Sequence, residues 1–364
     1  MNTSLMTMTV TRALGLLLCA ASVLPAQSSR ERERERERQR ERDIERRAEK
    51  IGKTVEKTVE ASIEGAMRSV ESALSGIDRH YEQGSDSRQG GARLDTTFAF
   101  ADGTVDLTSF NGDIVVTGWN RNQARVRAST ERGSLRWRLT RSRISVEADI
   151  YRGRSGESVY EVTVPEGTRV VLRSMNGSLT VRGVKGAADL HTNNGDVEVT
   201  DAVGVVELVT LSGDATAARV RGDVDATSLN GTVSVTDVQG RSLSAESTSG
   251  NIELNNITSS DIDASTVSGE VEFAGALDPR GRYSFASHSG AVTLRVPAST
   301  SARFSIETFN GEVDSDFPYT LQPNRERRQG SRLEFNVGAG EARVTAESFS
   351  GSINIRRAGT SQRR

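Results

Sequence analysis

The sequence predicts an all-β fold: a single-chain parallel β-solenoid (β-helix) of about ten to eleven coils with an 18–21 residue period, preceded by an N-terminal amphipathic α-helix. Three observations carry this reading. The tetrapeptide Ser/Thr-x-Asn/Ser-Gly occurs ten times, ending at Gly112, Gly177, Gly195, Gly213, Gly231, Gly250, Gly269, Gly290, Gly311 and Gly351. From Gly177 to Gly311 the steps are 18, 18, 18, 19, 19, 21 and 21 residues, the near-constant short period of a stacked repeat. Each copy lies between short runs of alternating apolar residues, so one repeat reads as two strands with one buried face each.

The chain opens with an expected export signal, residues 1–26. Arg12 supplies the positive charge, Ala13–Leu24 an apolar stretch too short to span a bilayer, and Leu24-Pro25-Ala26 a small-residue cleavage point. The only cysteine, Cys19, lies within it, so the mature chain is expected to carry no disulfide, no thiolate nucleophile and no cysteine-ligated metal. Residues 27–43 form an Arg/Glu spacer. On a helix its alternation places opposite charges at i,i+3 and like charges at i,i+4, which largely offset each other.

Residues 44–82 read as the amphipathic helix. Ile44, Ile51, Val55, Val59, Ile63, Met67, Val70, Leu74, Ile77 and Tyr81 recur at steps of 3, 4 or 7 and form one apolar stripe. That stripe is expected to bury itself on its own protein or on a second copy, as a homo-oligomer. A membrane surface is disfavoured, because the polar face mixes signs and Trp and Phe are absent. Residues 83–92, rich in Gly, Ser and Gln, read as a linker, and 93–167 as an N-terminal β cap with the first, interrupted coil. The solenoid is expected over 168–357, with Leu333, Phe335 and Val337 in a degenerate coil, and a basic tail over 358–364.

Aligning the copies on their glycines assigns the inward positions. Seven and five residues before the Gly stand residues such as Val206 and Leu208; two and four after it stand residues such as Val197 and Val199. The position three before is Ser or Thr in all ten copies, a small hydroxyl expected at the inner corner and bonded to turn backbone or to the adjacent coil. The position one before, Asn or Ser, continues the inward phase and is expected to stabilise tight-turn backbone together with the Gly. The structural corner thus comprises Ser174, Asn176 and Gly177; Thr192, Asn194 and Gly195; Thr210, Ser212 and Gly213; and Ser228, Asn230 and Gly231. Asn-Gly between strands is also a hairpin signal, making an antiparallel meander the rival fold. A meander gives no reason for a hydroxyl at every corner.

Chemistry is sparse. No P-loop, His-Glu-x-x-His or Cys-x-x-Cys motif occurs, His80, His191 and His288 are scattered, and no cofactor or metal is expected. A net charge of -2 gives no global reason to expect nucleic acid as partner, and no transmembrane segment remains after signal cleavage. One surface site stands out on stacked coils: Asp196, Glu198 and Asp214 as one group, and Glu253, Glu270 and Glu272 as another. Carboxylates about 5 Å apart are what a retaining glycosidase uses. No Trp or convergent His accompanies them, and a solvated acidic face is the plainer reading. Phe110, Phe309 and Phe349, two before their glycines, either form an apolar contact stripe or fold back onto the turn.

From about Phe98 onward the chain resembles a bacterial family of exported or envelope-associated β-strand-repeat proteins known as putative adhesins, a domain of unknown function. The resemblance lies in Leu107-Thr-Ser-Phe-Asn-Gly-Asp-Ile-Val-Val-Thr-Gly-Trp-Asn120, in Val162-Thr-Val-Pro-Glu-Gly-Thr168, and in the repeats that follow. It implies a β-solenoid without known catalysis. The expected function is that of a non-enzymatic, exported scaffold or adhesion module of the periplasm, cell envelope or exterior, with an envelope protein or polysaccharide as partner. The alternative is a carbohydrate-binding or carbohydrate-cleaving β-helix.

Overall fold

The structure is a computed structural model that describes residues 82–83, 91–101, 103–148, 156–318 and 331–358. All of them belong to one compact unit, Ile44–Arg364. The expected signal, Arg/Glu spacer and amphipathic helix lie outside the described residues, as do most of the linker and the basic tail.

All the described secondary structure is β. The N-terminal strands are β1 (Glu82–Gln83), β2 (Ala92–Ala99), β3 (Thr104–Trp119), β4 (Gln123–Thr130), β5 (Leu135–Leu139), β6 (Arg143–Ala148) and β7 (Ser158–Pro165). A regular array of strand pairs follows: β8 (Arg169–Asn176) and β9 (Leu179–Arg182), β10 (Ala188–Asn194) and β11 (Val197–Thr200), β12 (Val206–Ser212) and β13 (Ala215–Arg221), β14 (Val224–Asn230) and β15 (Val233–Gln239). It continues with β16 (Ser242–Ser249) and β17 (Ile252–Ile257), β18 (Asp261–Ser268) and β19 (Val271–Gly275), β20 (Arg282–Ser289) and β21 (Val292–Val296). The last strands are β22 (Ala302–Thr308), β23 (Val313–Ser315), β24 (Ser331–Val337), β25 (Ala342–Ser348) and β26 (Ile353–Arg357).

The array is a two-sheet parallel solenoid. The first strand of each pair joins sheet A, the second joins sheet B, and the Ser/Thr-x-Asn/Ser-Gly corner lies between them. Pairing is parallel from coil to coil, with Ala188 between Val170 and Val206 in sheet A, and Val197 between Leu179 and Ala215 in sheet B. A meander is thereby excluded for this array. Like positions stack on like, and the inward columns meet between the sheets. Val206, Leu208, Val197 and Val199 are all 0% exposed. A further inward column, Val184, Ala202, Val220, Val238 and Ile257, lines the opposite corner.

The ends depart from chain order. The spatial order in sheet A is β1, β5, β6, β3, β8, β10, β12, β14, β16, β18, β20, β25, β22, β24. The first coil, formed by β3 running through both sheets, is therefore an interior rung between β6/β7 and β8/β9. The last copy, β25/β26, is likewise interior, between β20/β21 and β22/β23. The expectation of a degenerate coil at Leu333, Phe335 and Val337 is corrected: these residues lie on β24, which turns back antiparallel onto β22 and ends the sheet. The intervening sequence carries no Gly corner, so the chain reverses instead of turning into sheet B.

The two corners need special residues for different reasons. At the repeated corner a Cβ on Gly231 would lie 1.9 Å from the Gly213 carbonyl oxygen, and one on Gly250 would lie 2.0 Å from that of Gly231. Contact between rungs excludes any side chain there. At the opposite corner Gly183 (φ 68°) has room for a Cβ, and its equivalents on later coils are Asp201 (φ 56°), Arg219 (φ 55°), Asp237 (φ 56°) and Asn256 (φ 54°). Here the requirement is a left-handed backbone, which Asn and Asp tolerate. Gly183→Asn is expected to keep stability within about 1 kcal/mol of the parent, whereas Gly231→Ala should lose about 3 kcal/mol. Thermal and urea denaturation of the two variants test this, and equal costs would refute the distinction.

Candidate functional site

The repeated hydroxyls lie at the inner edge of the corner and are 0–3% exposed. Thr192 Oγ1 donates to the Gly177 carbonyl oxygen at 3.0 Å, Thr210 to Gly195 at 2.8 Å, and Ser228 to Gly213 at 2.9 Å. Ser247, Thr266, Ser287, Ser348 and Thr308 repeat the bond at 2.9–3.2 Å, always to the corner glycine of the neighbouring coil. At Ser174 the buried Oγ makes no such bond. The glycine oxygen that approaches the next Gly most closely is thus also the acceptor for the next hydroxyl.

The position before the Gly is corrected from inward to outward. Asn194, Ser212 and Asn230 are exposed, because the chain already bends out of sheet A there. Asn194 Nδ2 donates to Asn176 Oδ1 at 2.9 Å, a short amide ladder on the outside of the corner.

The acidic residues after the Gly brace the same corner. Asp196 Oδ1 accepts the Asp214 amide at 2.9 Å, Asp214 Oδ1 accepts that of Thr232 at 2.8 Å, and Asp113 does the same for Ser178. Asn251 Oδ1 plays this part for the Glu270 amide at 3.0 Å. Glu198 pairs with Arg182 at 3.4 Å and Glu272 with Arg295 at 2.5 Å. Glu253 and Glu272 stand in register on adjacent strands. Stacking brings these carboxylates onto neighbouring rungs, but Asp196 and Asp214 are turned onto backbone amides. Among the described residues no group of three or more His, Cys, Asp and Glu side chains is placed to hold a metal ion.

The more distinctive surface is the outer face of sheet A, of which the sequence pattern marks only the Phe110, Phe309 and Phe349 column. It carries three columns. The one nearest the corner holds Met175, Leu211, Leu229 and Val267, and ends in a stack of rings: His288 on Phe349 with centroids 5.0 Å apart, and Phe349 on Phe309 at 5.1 Å. Phe309 and Phe349 are thus neighbours, and Phe110 lies near the other end of the column. The middle column holds Arg173, His191, Val209, Thr227 and Glu246, and the third Asp189, Glu207, Asp225 and Asp263. The outer face of sheet B is instead polar, with Thr180, Glu198, Thr216, Ser234 and Glu253 along one column.

His191 is 9% exposed, with Nδ1 2.8 Å from Asp189 Oδ1 and Nε2 3.6 Å from Glu207 Oε1. Burial works against its charged form, but the bonds and charges of Asp189 and Glu207 prevail and raise its pKa to about 9. Burial also opposes ionisation of Asp189, and His191 overcomes it, holding the carboxyl below its ordinary value. Glu246 goes the other way: burial, then the charges of Asp225 and Asp263, push it up to about 7. The outward positions, aligned copy by copy, place His191 beside both acids.

The corners define a structural repeat protein, a parallel β-solenoid whose signature residues bind coil to coil. Residues 161–356 match the Toastrack DUF4097 family, and the chain belongs to that family. Among solved structures it is similar to a "putative cell adhesion protein" from Clostridium sporogenes, at 10% identity over 73% of this chain and 100% of that one, with a TM-score of 0.23. It is also similar to a "putative adhesin" from Bacteroides fragilis, at 11% identity over 72% and 96% with a TM-score of 0.28. A "putative lipid binding protein" from Parabacteroides distasonis shares 12% identity over 72% and 96%, with a TM-score of 0.26. No curated protein matches. Among the described residues no helix is long and apolar enough to cross a membrane.

Both shifted groups have folded-state pKa values above their unfolded ones. Their stabilising contributions are complete below the unfolded value and disappear as pH rises through the folded one, from 4.5 to about 7 for Glu246 and from 6.5 to about 9 for His191. Thermal midpoints are therefore expected to fall from about pH 5 to about pH 9, with His191 accounting for about 3 kcal/mol of the loss. His191→Asn should flatten the upper part of that profile and Glu246→Gln the lower part. A midpoint that rises between neutral and alkaline pH would contradict the assignment.

Proposed function

We propose that the chain is a non-enzymatic, exported β-solenoid serving as a cell-envelope scaffold or adhesion module. One observation carries this reading: the polar groups that recur along the sequence are engaged in holding one coil to the next. The hydroxyl, the glycine carbonyl and the carboxylate after it all bond across rungs. Export is supported by the expected signal at residues 1–26, and family membership agrees with a repeat scaffold. The alternative, a carbohydrate-binding or carbohydrate-cleaving β-helix, is less favoured, because one carboxylate oxygen each of Asp196 and Asp214 accepts a backbone amide of the next coil.

The test uses purified protein. It is expected to cosediment with isolated envelopes and to release no reducing ends from envelope or plant polysaccharides. Asp214→Asn keeps an acceptor oxygen and should melt close to the parent, whereas Asp214→Ala should lose about 1 kcal/mol. Release of reducing ends that disappears in Asp196→Asn/Asp214→Asn would overturn the scaffold reading, and protein that stays wholly in the supernatant would overturn adhesion.

A further inference from the structure

β2 ends sheet B on the N-terminal side, and among the described residues it pairs with β4 alone. It lacks the usual guards of an edge strand. It has eight residues, no Pro and no Lys, and its register with β4 runs unbroken from Ala92 opposite Thr130 to Ala99 opposite Gln123. The other sheet ends differ: β1 has two residues and β23 three, and β24 commits Arg332 to Glu334 and Glu307 of its own chain.

Hydrogen bonding fixes which groups of β2 face the edge. Just past β2 the Phe100 N–H donates to the Asn122 carbonyl oxygen at 3.3 Å, while the Glu131 N–H, just past β4, turns the other way and donates to Glu157. Bonded and non-bonded pairs alternate along an antiparallel ladder. Ala92, Leu94, Thr96 and Phe98 therefore bond to β4, and the N–H and C=O groups of Arg93, Asp95 and Thr97 point out of the sheet edge.

Charge decides what fits there. On the outer face of sheet B, Glu161, Arg127 and Asp95 stand opposite one another on β7, β4 and β2, with Arg127 3.1 Å from Glu161 and 3.7 Å from Asp95. The sign alternates from rung to rung, and a cation continues the series beyond Asp95. Arg93 is exposed and stands opposite Ser129, so no acid faces it across its own ladder.

We propose that β2 is a dimerisation edge, pairing antiparallel with β2 of a second copy about a two-fold axis at Leu94. Centring the pair on Arg93 or on Asp95 would oppose like charges, and centring it on Thr96 would set Asp95 against Thr97 and Arg93 against Ala99. Centring it on Leu94 puts Arg93 of each copy opposite Asp95 of the other. Each of these pairs exchanges two N–H···O bonds through groups that already point out of the edge. The charge column then reads Glu161, Arg127, Asp95 and Arg93 of the second copy. The two Leu94 side chains meet on the axis, at an end of the core where Leu94, Phe98, Trp137 and Leu139 are only partly buried.

Sedimentation and cross-linking of the full chain in a Cys19→Ser background test the pairing. The protein is expected to form a concentration-dependent dimer. Leu94→Cys should oxidise to a disulfide-linked dimer, because a non-bonded antiparallel pair brings its Cα atoms to about 4.5 Å, within the range a disulfide spans. Thr96→Cys, on the same face, would lie about 14 Å along the strand from its counterpart and should link at least ~10-fold more slowly. Arg93→Glu should keep the melting temperature of the parent and weaken dimerisation at least ~10-fold, because it sets two acids against each other. A monomer at every concentration overturns the proposal, as does equal linking at the two cysteines. A dimer indifferent to Arg93→Glu also overturns it, because the contact would then lie elsewhere in the chain.

Discussion

A close approach of backbone between neighbouring coils governs the rest of the structure. At each repeated corner the glycine carbonyl oxygen of one coil lies where a Cβ of the next corner residue would be, 1.9–2.4 Å from it at Gly195, Gly213, Gly231, Gly250, Gly269 and Gly290. Only Gly admits that distance between rungs. The same oxygen is buried against the corner, and the hydroxyl three residues before the next Gly supplies its donor. Slipping one rung by a single residue would drive a side chain into the contact and turn every core residue outward. Register and the alignment of the apolar columns therefore follow from the corner, and the strands need only β-branched or small apolar residues to fill the space between the sheets.

A linear parallel solenoid would leave its first and last coils as open edges, ready to pair with another chain. Here both are interior. The segment carrying Gly112 is clamped between two coils that come later in the chain, and the segment carrying Gly351 between two that come earlier. The sheets end instead on antiparallel strands, β24 at one end and β1 and β2 at the other, or on the three-residue β23. Loss of a terminal strand by fraying would leave the clamped coil still paired on its other side. The interruptions in copy spacing mark these departures: in the 65 residues after Gly112 the chain builds β6/β7 on one side of β3 and then crosses to β8/β9 on the other, and in the 40 after Gly311 it returns to fill the rung between β20/β21 and β22/β23.

The repeat and its inward faces are legible in the sequence because alternation and period are local properties. Val206, Leu208, Thr210, Val197 and Val199 are buried as the pattern requires. Legibility fails where backbone conformation breaks the alternation. Counting in twos places Asn194 inward, but the corner has already turned the chain and the residue is exposed. The column from Val184 to Ile257 escaped because a left-handed residue such as Asp201 or Asp237 shifts the phase by one, so that the seventh residue after the Gly faces in. The displaced end coils were beyond local reading, since spacing reports that a coil is missing without saying which rung it occupies. The acids after the glycines were visible as residues, but their use was not, because a carboxylate turned onto a backbone amide has the same sequence as one facing solvent.

Repetition and chemical individuality separate cleanly in this molecule. A reactive centre needs a group whose surroundings differ from those of its copies, and every corner is built to make its surroundings the same. The strongly shifted His191 and Glu246 stand on the outer face of sheet A, where equivalent positions hold Arg173, Val209, Thr227 and Ser265. Burial acts on the two in opposite directions: it disfavours the charged form of His191, where Asp189 and Glu207 prevail and hold the proton, and it raises Glu246, where the charges of Asp225 and Asp263 add to it. Because rungs are ~4.8 Å apart, each charged group on this face acts directly on the rungs beside it. The corner thus supplies a rigid lattice spacing, and the identity of the molecule is written in the order of residues along one outward column.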